Sequence, residues 1–535
     1  MRADGRMARW AVAIAVVACL VTAPLPIRPS AQSSRWRPDE RVLVSDFSVV
    51  TAVAASPFTL YAATTHGLLI YDRRTQHWAL PVTTLDGYPS ELVRTALADP
   101  VDDAVWLGTT SGWARYDATI RRWDSGIVPG GVIDFLADAR DPASGIFVKS
   151  LEGWSFLPRG GLIPEPGHPL PPAGRQVGPL SADQAMARAP IAEAMRALIL
   201  TDPWLRTYHY TSAALSPDKT DLYFGTDGFG VVRVDPITGQ WTNLEIGLLA
   251  PRAGAIAAGK GGVFVATNAG VGSRRGVTWL AEDLSQSRRL EGGVTPGMNF
   301  FQSRKLLVAG DAVWLATDQG LWKVDPQGGR GRHFNAMDGL PSDNILALAP
   351  APDGVWVGTD RGLAVITAGD KIVRVGAFAN PVLSLLAIRE TLWVGSTVGL
   401  GVLPPGVSEP GVPPELASQP SLKTAIIALA RVRDTIILAT SDHLAWRDPG
   451  TGKWTVEAGR GDLGQVMAMA GADDGVWIAG SSGVAFWTPA RGHFQVLHVP
   501  YDVPAAARDL ALDPNYLWIA TDSGVVRFDR DAARR

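Results

Sequence analysis

The chain has 535 residues, 46% hydrophobic and 19% charged, with a formal net charge of −3. That composition is globular rather than disordered, and with no long basic run it offers nothing to a nucleic-acid backbone. Its single cysteine, Cys19, excludes an intramolecular disulfide, and excludes a cysteine-bound zinc or a cysteine nucleophile anywhere beyond it.

Arg2, Arg6 and Arg9 precede an apolar run from Trp10 to Leu20. The run is short for a bilayer span and right for a secretory signal, which we place at residues 1–32. Two processing sites stand open. Val16-Val17-Ala18-Cys19 resembles a bacterial lipobox, in which Cys19 would be lipidated. Alternatively, cleavage falls near Ser30-Ala31-Gln32, or the segment stays as an uncleaved anchor. In each case the body of the protein lies outside the cytoplasm, in the periplasm, at the cell surface or secreted, and a lipid on Cys19 would be its membrane contact. No later segment is long and apolar enough for a transmembrane helix.

Beyond the leader one pattern recurs: apolar, aromatic, apolar, small, Thr, two turn residues, Gly, apolar. Val313-Trp314-Leu315-Ala316-Thr317-Asp318-Gln319-Gly320 is a full copy. Eleven copies start at 60, 105, 146, 222, 263, 313, 355, 392, 436, 476 and 517. All but one of the steps lie between 37 and 50 residues, a period that fits four-stranded propeller blades. Paired-helix solenoids share the period, but runs of β-branched and aromatic residues bounded by glycine turns are strands. The aromatic, present in ten of the eleven copies, is expected to pack between neighbouring sheets. The glycine is expected to supply a positive φ to a tight turn.

The expected fold is therefore all-β, a β-propeller array of about eleven four-stranded blades. Eleven exceeds the usual ring, so two rings are expected, five plus six, with a break between Leu280 and Phe301; one large ring is the alternative. The corresponding domains are 41–290 and 291–535. Arg41-Val42-Leu43-Val44 is a strand without a blade, expected to complete the last one, which has no outer strand of its own. Arg534 and Arg535 are expected to be a solvated tail.

Residues 157–203 form the one non-repeating insertion. It begins Pro-rich and continues as a helical segment capped by Ser181 or Asp183. Met186, Ile191, Met195 and Leu198 share a face, and Pro190 splits the helix. It is either a packing cap or a lid or docking element.

The fullest copy runs Asp338-Gly339-Leu340-Pro341-Ser342-Asp343-Asn344, then Asp353-Gly354-Val355-Trp356-Val357-Gly358-Thr359-Asp360-Arg361-Gly362-Leu363. It resembles the two-component regulator propeller repeat, with a partial second match from Leu85 to Val93. The resemblance implies periplasmic, sensor-type propeller blades. With no membrane helix, linking β-sandwich or kinase after the last blade, it implies ligand or partner binding rather than signalling within one polypeptide. Streptogramin lyase is a related-looking propeller, so lyase or hydrolase chemistry is the alternative, and an envelope scaffold is a third.

Chemistry-bearing residues are sparse. The histidines (66, 77, 168, 209, 333, 443, 493 and 498) show no metal-binding spacing. His209, in Tyr208-His209-Tyr210 beside an expected inner strand, is the one singled out as a functional candidate. Asp227, Asp318, Asp360 and Asp522 recur in register and read as turn formers. Asn268-Ala269-Gly270-Val271-Gly272 reads as a blade hairpin rather than a phosphate loop. No catalytic residue, cofactor or metal site is indicated. The expected partner is a small molecule, a glycan or a protein, bound by loops of several blades at one face of a ring.

Overall fold

The computed structural model describes residues 35–187, 205–268, 274–293, 298, 302–327, 330–376, 378–416, 419–459, 461–489 and 495–535. The leader and Cys19 lie outside the described residues, as do 188–204 of the insertion and His493.

Among the described residues the strands form eleven antiparallel sheets, nine of them four-stranded. We number them as blades in chain order: 1 (50–78), 2 (93–127), 3 (134–177), 4 (210–244), 5 (253–291), 6 (303–334), 7 (345–374), 8 (382–403), 9 (428–458), 10 (466–498) and 11 (507–529 with 41–44). Blade 8 has three strands and blade 3 has five. The fold is that of propeller blades, and it follows from the repeat. The aromatic at the second position is buried in nearly every copy: Tyr61, Tyr223, Trp477 and Trp518 are each at most 1% exposed. These rings sit in cores between neighbouring sheets. One such core joins Trp314 and Phe334 of blade 6 to Val355 and Val357 of blade 7. Burying one large apolar side chain contributes roughly 2–3 kcal/mol, repeated blade by blade.

The recurring turn chemistry is a hydroxyl staple. Thr317 Oγ1 donates to the Gly320 carbonyl at 2.6 Å and accepts the Gln319 N–H at 3.1 Å. Thr64, Thr226, Thr359, Ser396 and Thr521 donate in the same way. The glycine has two reasons. Gly320 takes a φ of +111°, as expected. Gly112 does not, but a Cβ there would lie 2.0 Å from the Gly126 carbonyl, because the outer strand passes directly over it.

The first strand of each blade is innermost. Those of blades 5 to 11 pack one on the next, and blade 11 packs on blade 5, so these seven close a circuit. Blades 4, 1, 2 and 3 pack in that order beside them. This grouping differs from a break near residues 280–301: blades 5 and 6, on either side of that stretch, are direct neighbours. Leu280 and Ala281 end one strand of blade 5, Gly276–Ala281, and Ser287–Glu291 is its outermost strand. The chain instead leaves and re-enters the circuit of seven through 45–49 and 245–252. The two connectors bind each other, with Leu248 N–H donating to Ser45 O at 2.9 Å and Asp46 bridging Gly247.

Arg41–Val44 is the outermost strand of blade 11, antiparallel to Gly524–Asp529 with Arg41 opposite Phe528. Trp36 reinforces it, donating to Asp502 at 2.8 Å and packing edge-on against Phe528. Arg534 is part-buried rather than a solvated tail residue, and Arg535, though exposed, is ion-paired. They follow a short helix, Arg530–Ala533, and form ion pairs with Asp474 at 2.9 Å and Glu40 at 2.5 Å, because the closed seam brings both ends of the described chain together.

The described part of the insertion is a packing element. Gln176–Val177 adds a strand to the inner edge of blade 3, and Leu180 bridges Ala213 of blade 4. Ser181, not Asp183, caps the helix Ala182–Ala187, exchanging hydrogen bonds with Gln184. Ala185 and Met186 enter the core of blade 4 beside Leu222 and Phe224.

Candidate functional site: the mouth of the seven-blade channel

Nine of the eleven first strands begin with a register irregularity against the second strand. A bulge re-aims one residue and frees it from the alternating pattern. Its position is fixed by a contact repeated from blade to blade. The first turn residue after the Thr donates its N–H to the carbonyl two residues before the bulge: Asp227 to His209 (3.1 Å), Asp318 to Gln302 (3.4 Å), Asp360 to Asn344 (3.2 Å). The bulged residues thus sit beside the turns, at the entrance of the channel bounded by the first strands.

In blades 5 to 11 this position holds Gly254, Arg304, Leu346, Leu383, Ile427, Met467 and Arg508 in ring order. Ile427 occupies it without a bulge, donating its N–H to Ala439 O at 2.8 Å. The mouth is therefore divided. Blades 11, 5 and 6 present exposed Arg508 and Arg304 around a glycine; blades 7 to 10 present four half-buried apolar side chains. Arg508 is held by Asp522 at 2.6 Å, and Arg252 reaches the same carboxylate at 3.3 Å. Arg304 has no hydrogen-bond or ion-pair partner among the described residues.

One step deeper the residues are Ala255, Lys305, Ala347, Ser384, Ala428, Ala468 and Asp509. The two charged members pair: Lys305 Nζ lies 2.6 Å from Asp509 Oδ1, and the other oxygen of Asp509 accepts Ile256 N–H at 3.2 Å. The residues that follow, Ile256, Leu306, Leu348, Leu385, Leu429, Met469 and Leu510, are all apolar and pack into the separate cores between blades. Such a site suits recognition by a charged sector and an apolar sector facing each other.

The histidines do not converge. His209, the sequence candidate, pairs with Asp227 at 2.9 Å, with its ring largely exposed. It occupies the position before the bulge that Gln302 and Asn344 occupy elsewhere, so it is blade 4's version of the rim contact. Asp318 and Asp360 make the same tie, to Gln302 N–H and Asn344 Nδ2. His333 stacks on Trp322 with ring centroids 4.0 Å apart and bonds Gln319 O. His66, His77, His168 and His443 bind near neighbours in sequence. Among the described residues no three His, Cys, Asp or Glu side chains gather as a metal site, and no helix is long and apolar enough to cross a membrane. The turn Thr and the aromatic recur in the sequence; the mouth residues differ from blade to blade and so leave no repeat signal.

Comparison with known proteins bears on the repeat and the fold. The profile of the two component regulator propeller family matches residues 339–361, within the copy closest to the repeat. No curated protein matches the chain by sequence. Among solved structures, PorZ, a bacterial surface component of the type-IX secretion system of Porphyromonas gingivalis, aligns with a TM-score of 0.53 at 10% identity, over 92% of this chain and 87% of that one. The extracellular domain of the hybrid two component system BT4673 from B. thetaiotaomicron aligns at 0.43 and 12% identity, over 91% and 72%. At 10% identity the likeness to PorZ is one of fold alone. Residues 339–361 carry the two component regulator propeller repeat, within an all-β array of propeller blades.

Proposed function

We propose that this protein is an exported, sensor-like binding module that recognises a ligand or partner at the mouth of the seven-blade channel. The observation that carries the reading is the division of one ring position into exposed Arg304 and Arg508 against Leu346, Leu383, Ile427 and Met467. Packing of the blades requires neither an exposed guanidinium without a partner nor apolar side chains left half open to a channel. Together they fit a ligand with a polar, anion-bearing side and an apolar side. A secretory-type leader and the family of the repeat support a place outside the cytoplasm.

The test is affinity selection with mass-spectrometric readout, using the mature chain against a pool of glycans, peptides and cell-envelope extract. A compound retained by wild type, and lost by both Arg304→Glu and Leu383→Asp, supports the site. Equal retention by all three chains places recognition elsewhere. Conversion of a compound by the native but not the heat-denatured chain would replace the binding reading with an enzymatic one.

A further inference from the structure

Two loops of this chain are built alike. Thr83-Thr84-Leu85-Asp86-Gly87-Tyr88-Pro89-Ser90 links blade 1 to blade 2, and Asn335-Ala336-Met337-Asp338-Gly339-Leu340-Pro341-Ser342 links blade 6 to blade 7. In each, the first residue donates its N–H to the Asp carboxylate at 2.9 Å, closing a capping box over one 3-10 turn. In each, the following glycine has a positive φ, +91° and +121°, and the next side chain, Tyr88 or Leu340, is buried below. The construction lifts Leu85 and Met337 to the same place at the loop tip.

Their surroundings differ. Leu85 plugs a socket on the seven-blade circuit, packed against the core that holds Trp36, Val503 and Phe528. Arg41 forms the polar wall of that socket, donating to Leu85 O at 2.7 Å and to Tyr501 O at 2.9 Å. Met337, on an equivalent turn, is 92% exposed. A single exposed apolar side chain is ordinary on a protein surface. What distinguishes Met337 is that the same molecule uses the same turn, with the same residue position, as a plug.

We infer that Met337 is the plug of an intermolecular contact. Its partner is a different protein presenting an apolar socket walled by an arginine, the chemistry that residues 41 and 499–503 present to Leu85. Charge complementarity favours this, because Asp338 and Asp343 lie exposed around the tip, where a guanidinium would meet them. A second copy of this chain does not supply the socket, since its own Leu85 fills it. The contact is separate from the channel mouth and does not depend on what binds there.

The test places the photoreactive residue p-benzoylphenylalanine at position 337 of the full chain and irradiates it in cell-envelope extract. A control chain carries it at 237, where Ile237 is 80% exposed on blade 4. The protein crosslinked at 337 and not at 237 is then purified and titrated against wild type, Met337→Leu and Met337→Asp. The expected result is an adduct with a different protein, affinity close to wild type for Met337→Leu, and affinity at least about tenfold weaker for Met337→Asp. No adduct specific to 337, an adduct of two copies of this chain, or equal affinity for wild type and Met337→Asp would overturn the inference.

Discussion

Lys305 of blade 6 reaches past the first strand of blade 5 to Asp509 of blade 11, an ion pair of 2.6 Å in a layer otherwise made of alanine and serine. Asp509 is 4% exposed and also accepts a backbone N–H from Ile256. One carboxylate thus ties three consecutive blades at the place where the circuit of seven closes. Lys305→Met leaves that carboxylate without its cation, and a lost hydrogen bond to a charged group costs roughly 1.5–3 kcal/mol. Because Lys305 is partly exposed, the lower end of that range is expected. The double variant Lys305→Met/Asp509→Asn should recover part of the loss, since it removes the stranded charge. Denaturant unfolding of the two single variants and the double variant measures the coupling; additive effects would show that the pair does not stabilise the closure.

The second prediction concerns the seam. Gly524 has a φ of +135°, and a Cβ on it would lie 2.4 Å from the carbonyl of Val44, in the strand that completes blade 11. Gly153, in blade 3, has a similar φ of +123° but nothing within 4 Å of a built Cβ. Gly153→Ala therefore carries backbone strain alone, about 1 kcal/mol. Gly524→Ala adds a collision with the closing strand, and the expected loss is roughly 2–4 kcal/mol. Amide hydrogen exchange should show Arg41–Val44 opening in Gly524→Ala and not in Gly153→Ala. Unchanged protection of that strand would show that the seam tolerates the methyl group by shifting.

How much of this was legible in the sequence follows from what repeats. The strands, their order within a blade, the buried aromatic and the turn Thr all recur, so comparing the chain with itself exposed them. The pairing of Arg41–Val44 with Gly524–Asp529 was readable from an unpaired strand at one end and a missing one at the other. The grouping of blades was not, because every copy is locally alike whichever neighbour it packs on. Only the paired connectors, Ser45 with Leu248, mark where the chain changes partner. Arg304 and Leu383 also escaped notice, since equivalent positions with different residues give no repeat signal. His209 drew attention as an unusual residue, and its place proved to be a repeating one.

The last prediction is a pH dependence in blades 1 to 4, which are joined by buried ion pairs. Asp221 bridges Arg73 of blade 1 and Arg233 of its own blade 4, at 3.0 and 2.7 Å. Asp99 of blade 2 meets Arg115 at 3.1 Å and Arg159 of blade 3 at 2.8 Å. Burial pushes each carboxyl up, but the Arg73 and Arg233 guanidinium groups at Asp221, and Arg159, the Val101 and Asp102 N–H groups and Arg115 at Asp99, outweigh it and hold both below the usual aspartate value. Asp218, beside Arg73, is also held low, chiefly by the Ser216 side chain. A folded-state pKa below the unfolded one means that the unfolded chain binds protons first. The stabilisation is therefore present above about pH 4, the ordinary aspartate range, and is lost as the pH falls through the folded values. Blades 1 to 4 should then lose protection from exchange as the pH falls below about 4. Asp99→Asn should flatten the acid limb of the melting profile while lowering stability at neutral pH, because Arg159 and Arg115 lose the buried one of the two carboxylates they share and keep only the more exposed Asp102. An acid limb unchanged in Asp99→Asn and in an Asp221→Asn variant would assign the sensitivity to other carboxylates.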